Sequence, residues 1–331
     1  MGVVLSGMGS DGSLGLRAIK ERAGAVFAQD PGTAKFSAMP RNAVDTGMVD
    51  VIAPAEELAG RILAYHQHAP PQVTRSDQNL ANKDQTGLEK IILLLRAQTG
   101  HDFSLYKKST ISRRIERRMA LHQLVRLTDY VRYLRENPHE GDLLFKELLI
   151  GVTRFFRDAE VWEQLKTKVI PALLADRPAG GNLRAWVAGC STGEEAYTLA
   201  IVLREAMAHA KPGAHYELQV FATDLDKEAI QKARTGMYPA NIAADVSPAR
   251  LERFFVKEDH GFRVGREIRD LVTFAPQNMV MDPPFTKLDL LSCRNLLIYL
   301  EADLQKKVLP LFHYSLNPGG ILVLGTSETI G

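Results

Sequence analysis

The sequence predicts an α/β fold. It reads as a Rossmann-like, doubly wound parallel sheet over the C-terminal half, a small all-helical domain before it, and a partial α/β segment at the N-terminus. Three observations predict this. From Gly151 onward, short apolar runs alternate with helical patterns, as parallel strands joined by crossover helices do. The first of these runs enters a glycine loop that opens a helix, AGCSTGEE at 188–195. Residues 87–150 carry apolar positions at helical spacing with no strand signal.

The chain has 331 residues, enough for two or three domains, and is 45% hydrophobic and 24% charged. No apolar run approaches the roughly 18 residues of a membrane span. The opening MGVVLSGMGSDG has no basic region and no signal-peptide core, so a cytoplasmic location is expected. Cys190 and Cys293 are too few for a disulfide framework and lack metal-site spacing, so no metal is expected. The net charge of +2 carries no overall signal, which leaves the local distribution to be read.

Along the chain, Val3–Ser6 reads as a strand and Gly7, Gly9 and Gly12 as a flexible loop. Residues 13–22 read as a helix, 25–29 and 49–52 as strands, and 56–65 as a closing helix. Three strands in 66 residues make a poor independent domain, so this segment reads as the tail of something larger. Residues 67–86 are polar, hold adjacent prolines and read as a linker. In the helical region Leu88, Ile91, Ile92 and Leu95 fit one face, and Ile111, Ile115 and Met119 another. Between His101 and Arg126 stand seven Lys/Arg against two acids. Arg113/Arg117 and Arg114/Arg118 are i,i+4 pairs, so four guanidiniums share a helix surface and ask for a compensating partner. Further strands are expected at 183–188, 218–223, 271–275, 288–292 and 320–324, with helices at 194–208, 227–234 and 303–314.

The glycine loop 188–195 departs from the dinucleotide pattern G-x-G-x-x-G. It ends in two carboxylates, Glu194 and Glu195, which would repel a pyrophosphate and suit a ligand with a cationic amine or sulfonium, such as S-adenosylmethionine. A plain glycine turn before a capped helix explains the loop equally well. At the end of the next strand, FATDLD offers Asp224 as a ribose acceptor and Asp226 as a helix cap. Asn278, and the stretch Ser292-Cys293-Arg294-Asn295, follow two later strands on the same rim. Each alone reads as a turn residue sooner than as a ligand.

TRFFRD at 153–158, GCSTGEE, ATDLD and SCRNLLIYL together, in this order and spacing from about Gly87 to the end, closely resemble the CheR family of chemotaxis-receptor glutamate methyltransferases. The resemblance implies a helical domain at 87–150, then an S-adenosylmethionine-binding α/β domain at 151–331 with a small antiparallel insertion near 236–270. It implies that Thr153 and Arg157 border the cofactor and the methyl-transfer site, and that Glu195 binds the methionine part. Asp224 would take the ribose, Asn278 and Met279 would flank the adenine, and Arg294 and Asn295 would complete the pocket. Arg157 and Tyr299 would lie at the reactive centre. The partner implied is the cytoplasmic signalling domain of a methyl-accepting chemotaxis receptor, an acidic helix facing Arg113, Arg114, Arg117 and Arg118. Gly151, where relatives carry asparagine, and Ala196, where they carry proline, depart from the pattern. The chain stops soon after its GTSE turn, so a fragment is expected.

LSGMGSDGSLGL, AGAVFAQD and SAMPRNAVDTG in residues 1–66 resemble the C-terminal end of the CheB methylesterase family. Asp11 matches the aspartate of that family's Ser-His-Asp triad. The serine- and histidine-bearing segments lie upstream in the family, so no esterase activity is expected from these residues. Two other readings stand beside the CheR-like one. A nucleic-acid methyltransferase would use the basic helix 113–118 as its footprint, although no aromatic residues interleave there. A non-catalytic scaffold would bind the cofactor without transferring.

Overall fold

The computed structural model describes residues 1–10, 12–68, 78–149, 151–175, 180–210, 216–259 and 261–330, without the side chains of Leu14, Ala210 or residues 78–85. It divides into two compact units, Met1–Val152 and Thr153–Gly331.

In the first unit, β1 (Gly2–Val4), α1 (Ser13–Glu21), β2 (Val26–Gln29), α2 (Ala38–Asp45), β3 (Val51–Ala53) and α3 (Ala55–His68) form a parallel sheet in the order β1-β2-β3 with its helices. β2 is central and buried throughout. Its residues alternate between two small cores, Val26 and Ala28 facing Val4 and Leu16, and Phe27 facing Ala53 and Leu58. α2 falls in a stretch where the sequence signals no helix. Its Pro40 stands in the first turn, where a missing N–H costs no helical hydrogen bond.

Four helices follow: α4 (Gln78–Thr99), α5 (Lys108–Leu121), α6 (Leu127–Glu136) and α7 (Pro138–Leu149). α4 begins at Gln78, so residues 78–86 are helix and not linker. The apolar faces meet as their spacing predicts, with Ile91, Leu95, Ile111, Ile115 and Leu144 all at most 1% exposed.

The four-arginine face of α5 needs correction. Arg113 is exposed, but Arg114, Arg117 and Arg118 are 5%, 3% and 8% exposed. Arg118 Nε donates to Glu140 at 2.9 Å, Arg117 Nη1 to Asp50 at 2.7 Å, and Arg114 Nη1 to Glu147 at 3.1 Å. Local charge counting missed these acids because they lie far away in sequence. The compensating partner the arginines ask for is internal, and of the four only Arg113 stays exposed.

The second unit opens with α8 (Ala159–Gln164), which runs through one π-helical turn (Leu165–Val169) into α9 (Ile170–Ala175). There follow β4 (Asn182–Ala188), α10 (Glu194–Ala210), β5 (Glu217–Asp224), α11 (Lys227–Thr235), β6 (Met237–Tyr238), α12 (Pro248–Phe254), β7 (Phe255–Glu258), β8 (Gly261–Val264) and α13 (Arg266–Arg269). β9 (Val272–Pro276), β10 (Leu288–Cys293), α14 (Ala302–Ser315) and β11 (Leu316–Leu324) complete it. Five strands pair in parallel in the order β11-β10-β4-β5-β9. The first strand is thus central. The chain winds outward through β5 and β9, then returns to add β10 and β11 on the other side. Both faces are covered, which is why β10 is buried throughout and β4 is buried from Ala185 to its end. The winding reverses between β4 and β10, and that crevice at the carboxyl ends is where such sheets bind ligands. β6, β8 and β7 form a separate antiparallel sheet, which is why the α/β alternation lapses after Gly236.

Candidate functional site

The crevice is built first by backbone. After Ala188 the chain turns through Gly189 (φ +76°), Ser191 (φ +48°) and Gly193 (φ +94°) into α10. A Cβ at Gly193 would sit 2.8 Å from Ala233 Cβ and 3.1 Å from the Phe274 ring, and one at Gly189 2.9 Å from Leu296 Cδ2. Gly193 is therefore fixed by space as well as by φ, and Gly189 by its φ. Ser191 has no such freedom and is held in its left-handed conformation by donating its N–H to Asp224 Oδ2 at 2.8 Å. Asp224 Oδ1 accepts from the Asp226 N–H at 2.9 Å, so one carboxylate at the end of β5 ties the glycine loop to the next turn. Burial raises the Asp224 acid above its ordinary range, against the lowering by these N–H donors. Asp226 itself caps α11, accepting from Glu228 N at 2.8 Å and Ala229 N at 3.1 Å.

Side chains meet between the first turn of α10 and the end of β10. Glu195 Oε1 accepts from Ser292 Oγ at 2.7 Å, and its Oε2 lies 3.6 Å from Arg294 Nη1. Burial raises the Glu195 acid, with Arg294 and Ser292 opposing. The Arg294 side chain is 0% exposed and lies over the Trp162 ring, 5.0 Å from its centroid. Its Nη2 donates to Asp158 Oδ2 at 2.6 Å and to the Arg157 carbonyl at 3.0 Å. Trp162 Nε1 donates to that same carbonyl at 2.7 Å. The segment carrying Thr153 and Arg157 is thereby pinned to the crevice through backbone, and the Arg157 side chain is left half-buried. Nη1 and Nε of Arg294 are buried with no hydrogen-bond acceptor.

The remaining predicted positions sit in turns on the same rim. Asn278 Oδ1 accepts from the Val280 and Met281 N–H groups at 3.0 and 3.3 Å, and its own N–H donates to Asp282 at 2.8 Å. The side chain therefore shapes the turn that carries Met279. Asn295 is left-handed (φ +59°). Its N–H and those of Leu296 and Leu297 converge on the Glu328 carboxylate at 2.9, 2.8 and 2.7 Å. Tyr299 closes the short 3-10 turn that follows and is half-buried. Glu328, Asp158 and Trp162 went unread in the sequence. Glu328 works on backbone N–H groups, which leave no sequence pattern, and TRFFRD signals Asp158 only as part of a motif. Arg113, Arg114, Arg117 and Arg118 belong to the first unit, and Asp11 lies outside the described residues. Among the described residues no group of three or more His, Cys, Asp or Glu could hold a metal, and no helix is long and apolar enough to cross a membrane.

The donor set fits a nucleoside-linked amino acid. The Glu195 carboxylate, 14% exposed, suits an ammonium. The Arg294 nitrogens that lack an acceptor suit a carboxylate, and the Asp224 oxygens, bonded to backbone N–H groups, retain capacity for a diol. These features, at the switch point of a 3-2-1-4-5 sheet, define a doubly wound transferase of the S-adenosylmethionine-binding class.

Comparison with known proteins agrees. Residues 151–331 match the family model described as CheR methyltransferase, SAM binding domain, and residues 86–149 match the CheR methyltransferase all-alpha domain. Residues 1–62 match CheB methylesterase. An uncharacterized 104.1 kDa protein of Rhodobacter capsulatus is 39% identical over 99% of this chain, which spans 36% of that protein's length. The chemotaxis protein methyltransferase of Escherichia coli is 32% identical over 72% of this chain and 82% of its own. That of Listeria innocua is 30% identical over 72% of this chain and 87% of its own. The chain belongs to the CheR methyltransferase family, joined to a short CheB methylesterase segment, and its cofactor is S-adenosylmethionine.

Proposed function

We propose that this chain methylates glutamate side chains of methyl-accepting chemotaxis receptors, forming glutamate methyl esters. The observation that carries the reading is the buried Glu195–Ser292–Arg294 cluster at the switch point, joined through Arg294 to the 153–158 strap. Glu195 and Arg294 hold the two ends of the cofactor's amino acid, Asp224 the ribose, and the turn of Asn278 and Met279 the adenine. Asn295 closes the pocket. The relatives from Escherichia coli and Listeria innocua are named chemotaxis protein methyltransferases, which supports a chemotaxis substrate.

The bound cofactor supplies an activated methyl group on a sulfonium. The acceptor carboxylate is already ionised at neutral pH, since glutamate titrates near about 4.3, so no general base is required. The chain's task is to align that carboxylate and strip it of water. Arg157 and Tyr299 orient it and Thr153 borders it, on a strap and a turn that face the same crevice. A nucleic-acid substrate loses its support, because Arg114, Arg117 and Arg118 are buried in internal ion pairs.

The test is transfer of a tritiated methyl group to receptor signalling domains. A protein label released by mild base is expected. A base-stable label, or label on RNA, would overturn the substrate class, and cofactor binding without any transfer would favour the scaffold.

A further inference from the structure

Where the N-terminal α/β segment meets the helices, five charged side chains are taken out of water together. Arg117, Asp50, Arg114, Glu147 and Lys20 have side chains 2%, 4%, 6%, 9% and 13% exposed. Lys20 lies in the last turn of α1 and Asp50 immediately precedes β3, both in the α/β segment. Arg114 and Arg117 stand one turn apart on α5, and Glu147 is on α7.

Asp50 divides its two oxygens. Oδ1 accepts from Lys20 Nζ at 2.6 Å, and Oδ2 from Arg117 Nη1 at 2.7 Å and from the Val26 N–H at 2.8 Å. Glu147 does the same from the other side. Arg114 Nη1 lies 3.1 Å from it, Lys20 Nζ lies 3.6 Å away, and Arg117 Nη2 donates to it as well. Arg117 Nη1 also reaches the Gly24 carbonyl at 3.4 Å. The exchange is therefore reciprocal: the α/β segment lends Asp50 to a helical arginine, and the helices lend Glu147 to Lys20. Replacing one partner while the two stay docked would leave Arg117 or Lys20 short of a carboxylate at a site built to exclude water. A buried charge stripped of its partner is strongly unfavourable, and paired charges of this kind fix register.

We propose that the basic face of α5 is an internal docking surface whose occupant is the chain's own N-terminal α/β segment, held by the Asp50–Arg117 and Lys20–Glu147 exchange and not merely by the covalent connection. An external acidic helix reaches Arg117 only by displacing Asp50. The CheB-like segment and the CheR-like helices thus move as one body, and the stretch between α3 and α4 is not what holds them together.

The experiment is to insert a specific-protease site between Ala69 and Asp77 of the full chain, cleave it, and follow both pieces by gel filtration at physiological salt. Co-elution of the two pieces of the cleaved wild type is expected, and their separation would overturn the proposal without need of any variant. Asp50→Asn and Lys20→Met are expected to weaken co-elution at least tenfold in concentration, while the exposed neighbours Asp45→Asn and Arg113→Ala leave it unchanged. Pieces of Asp50→Asn that stay together as tightly as wild type would show that the charge exchange is not the lock.

Discussion

At the scale of single residues, the crevice rests on carboxylates that each serve more than one partner. Asp224 holds Ser191 in a strained left-handed turn while presenting its oxygens to the crevice. Asp224→Ala removes the proposed ribose acceptor and the clamp on the glycine loop together. Losing a hydrogen bond to a charged group costs about 1.5–3 kcal/mol. Calorimetry should show S-adenosylmethionine bound ~10–100-fold more weakly, and unchanged affinity would remove Asp224 from the pocket. Glu195 gives a pH prediction. Burial raises its acid above the ordinary glutamate range, with Arg294 and Ser292 pulling the other way. Only the ionised form takes an ammonium, so affinity should fall with falling pH, and begin to fall above the pH at which an ordinary glutamate protonates. Glu195→Gln should bind weakly with a flat profile, so a falling profile in that variant would place the titration elsewhere. Arg157 is different in kind. Its carbonyl anchors the strap and does not depend on the side chain. Arg157→Ala should therefore lower turnover far more than cofactor affinity, and single-turnover rates equal to wild type would sink its role.

At the scale of elements, α5 shows what a sequence conceals. Its apolar positions were legible from spacing, and so were the strands around the glycine loop, because a buried strand or a helix face imposes a local period. The fate of its arginines was not legible. Arg118 is matched by Glu140, 22 positions away, and Arg117 by Asp50, 67 positions away, so a local count saw four like charges and no partner. The start of α4 at Gln78 was hidden by polar composition, and the work of Glu328 on three successive N–H groups left no pattern at all. The Glu140 node turns this into a stability prediction. Burial alone would raise its carboxyl, but hydrogen bonds from His122, Arg118 and Tyr130 bring it down to about 2. A depressed carboxylate contributes stability that is complete above its ordinary value of 4.5 and is lost as pH falls toward about 2. Glu140→Ala leaves Arg118 buried without its acid and should cost about 3–5 kcal/mol at pH 7. Glu140→Leu combined with Arg118→Leu should recover much of that. Denaturant melts at pH 7 and pH 3 decide it, since a single variant no less stable than the double one would mean the node is not a paired charge.

At the scale of the whole molecule, three family matches fall on two folded units. The CheB-like segment and the CheR-like helices share Met1–Val152, while the crevice lies wholly within Thr153–Gly331, which carries its own continuous core. A ligand stabilises only the structure that binds it. At 100 times its dissociation constant, S-adenosylmethionine should add about 2.7 kcal/mol to the unit that holds the pocket. For a body of that size this is a rise of roughly 5–10 °C in Tm. Hydrogen exchange read element by element should show protection gained in β4, β5, β10 and α10 and none in β2, α5 or α7. With the charge exchange intact, β2 and α5 should exchange as a single cooperative body despite lying on different family segments. Asp50→Asn should split that body, so that β1–β3 exchanges faster than α4–α7. Equal protection by the cofactor across all of these elements would mean that the whole chain unfolds as one.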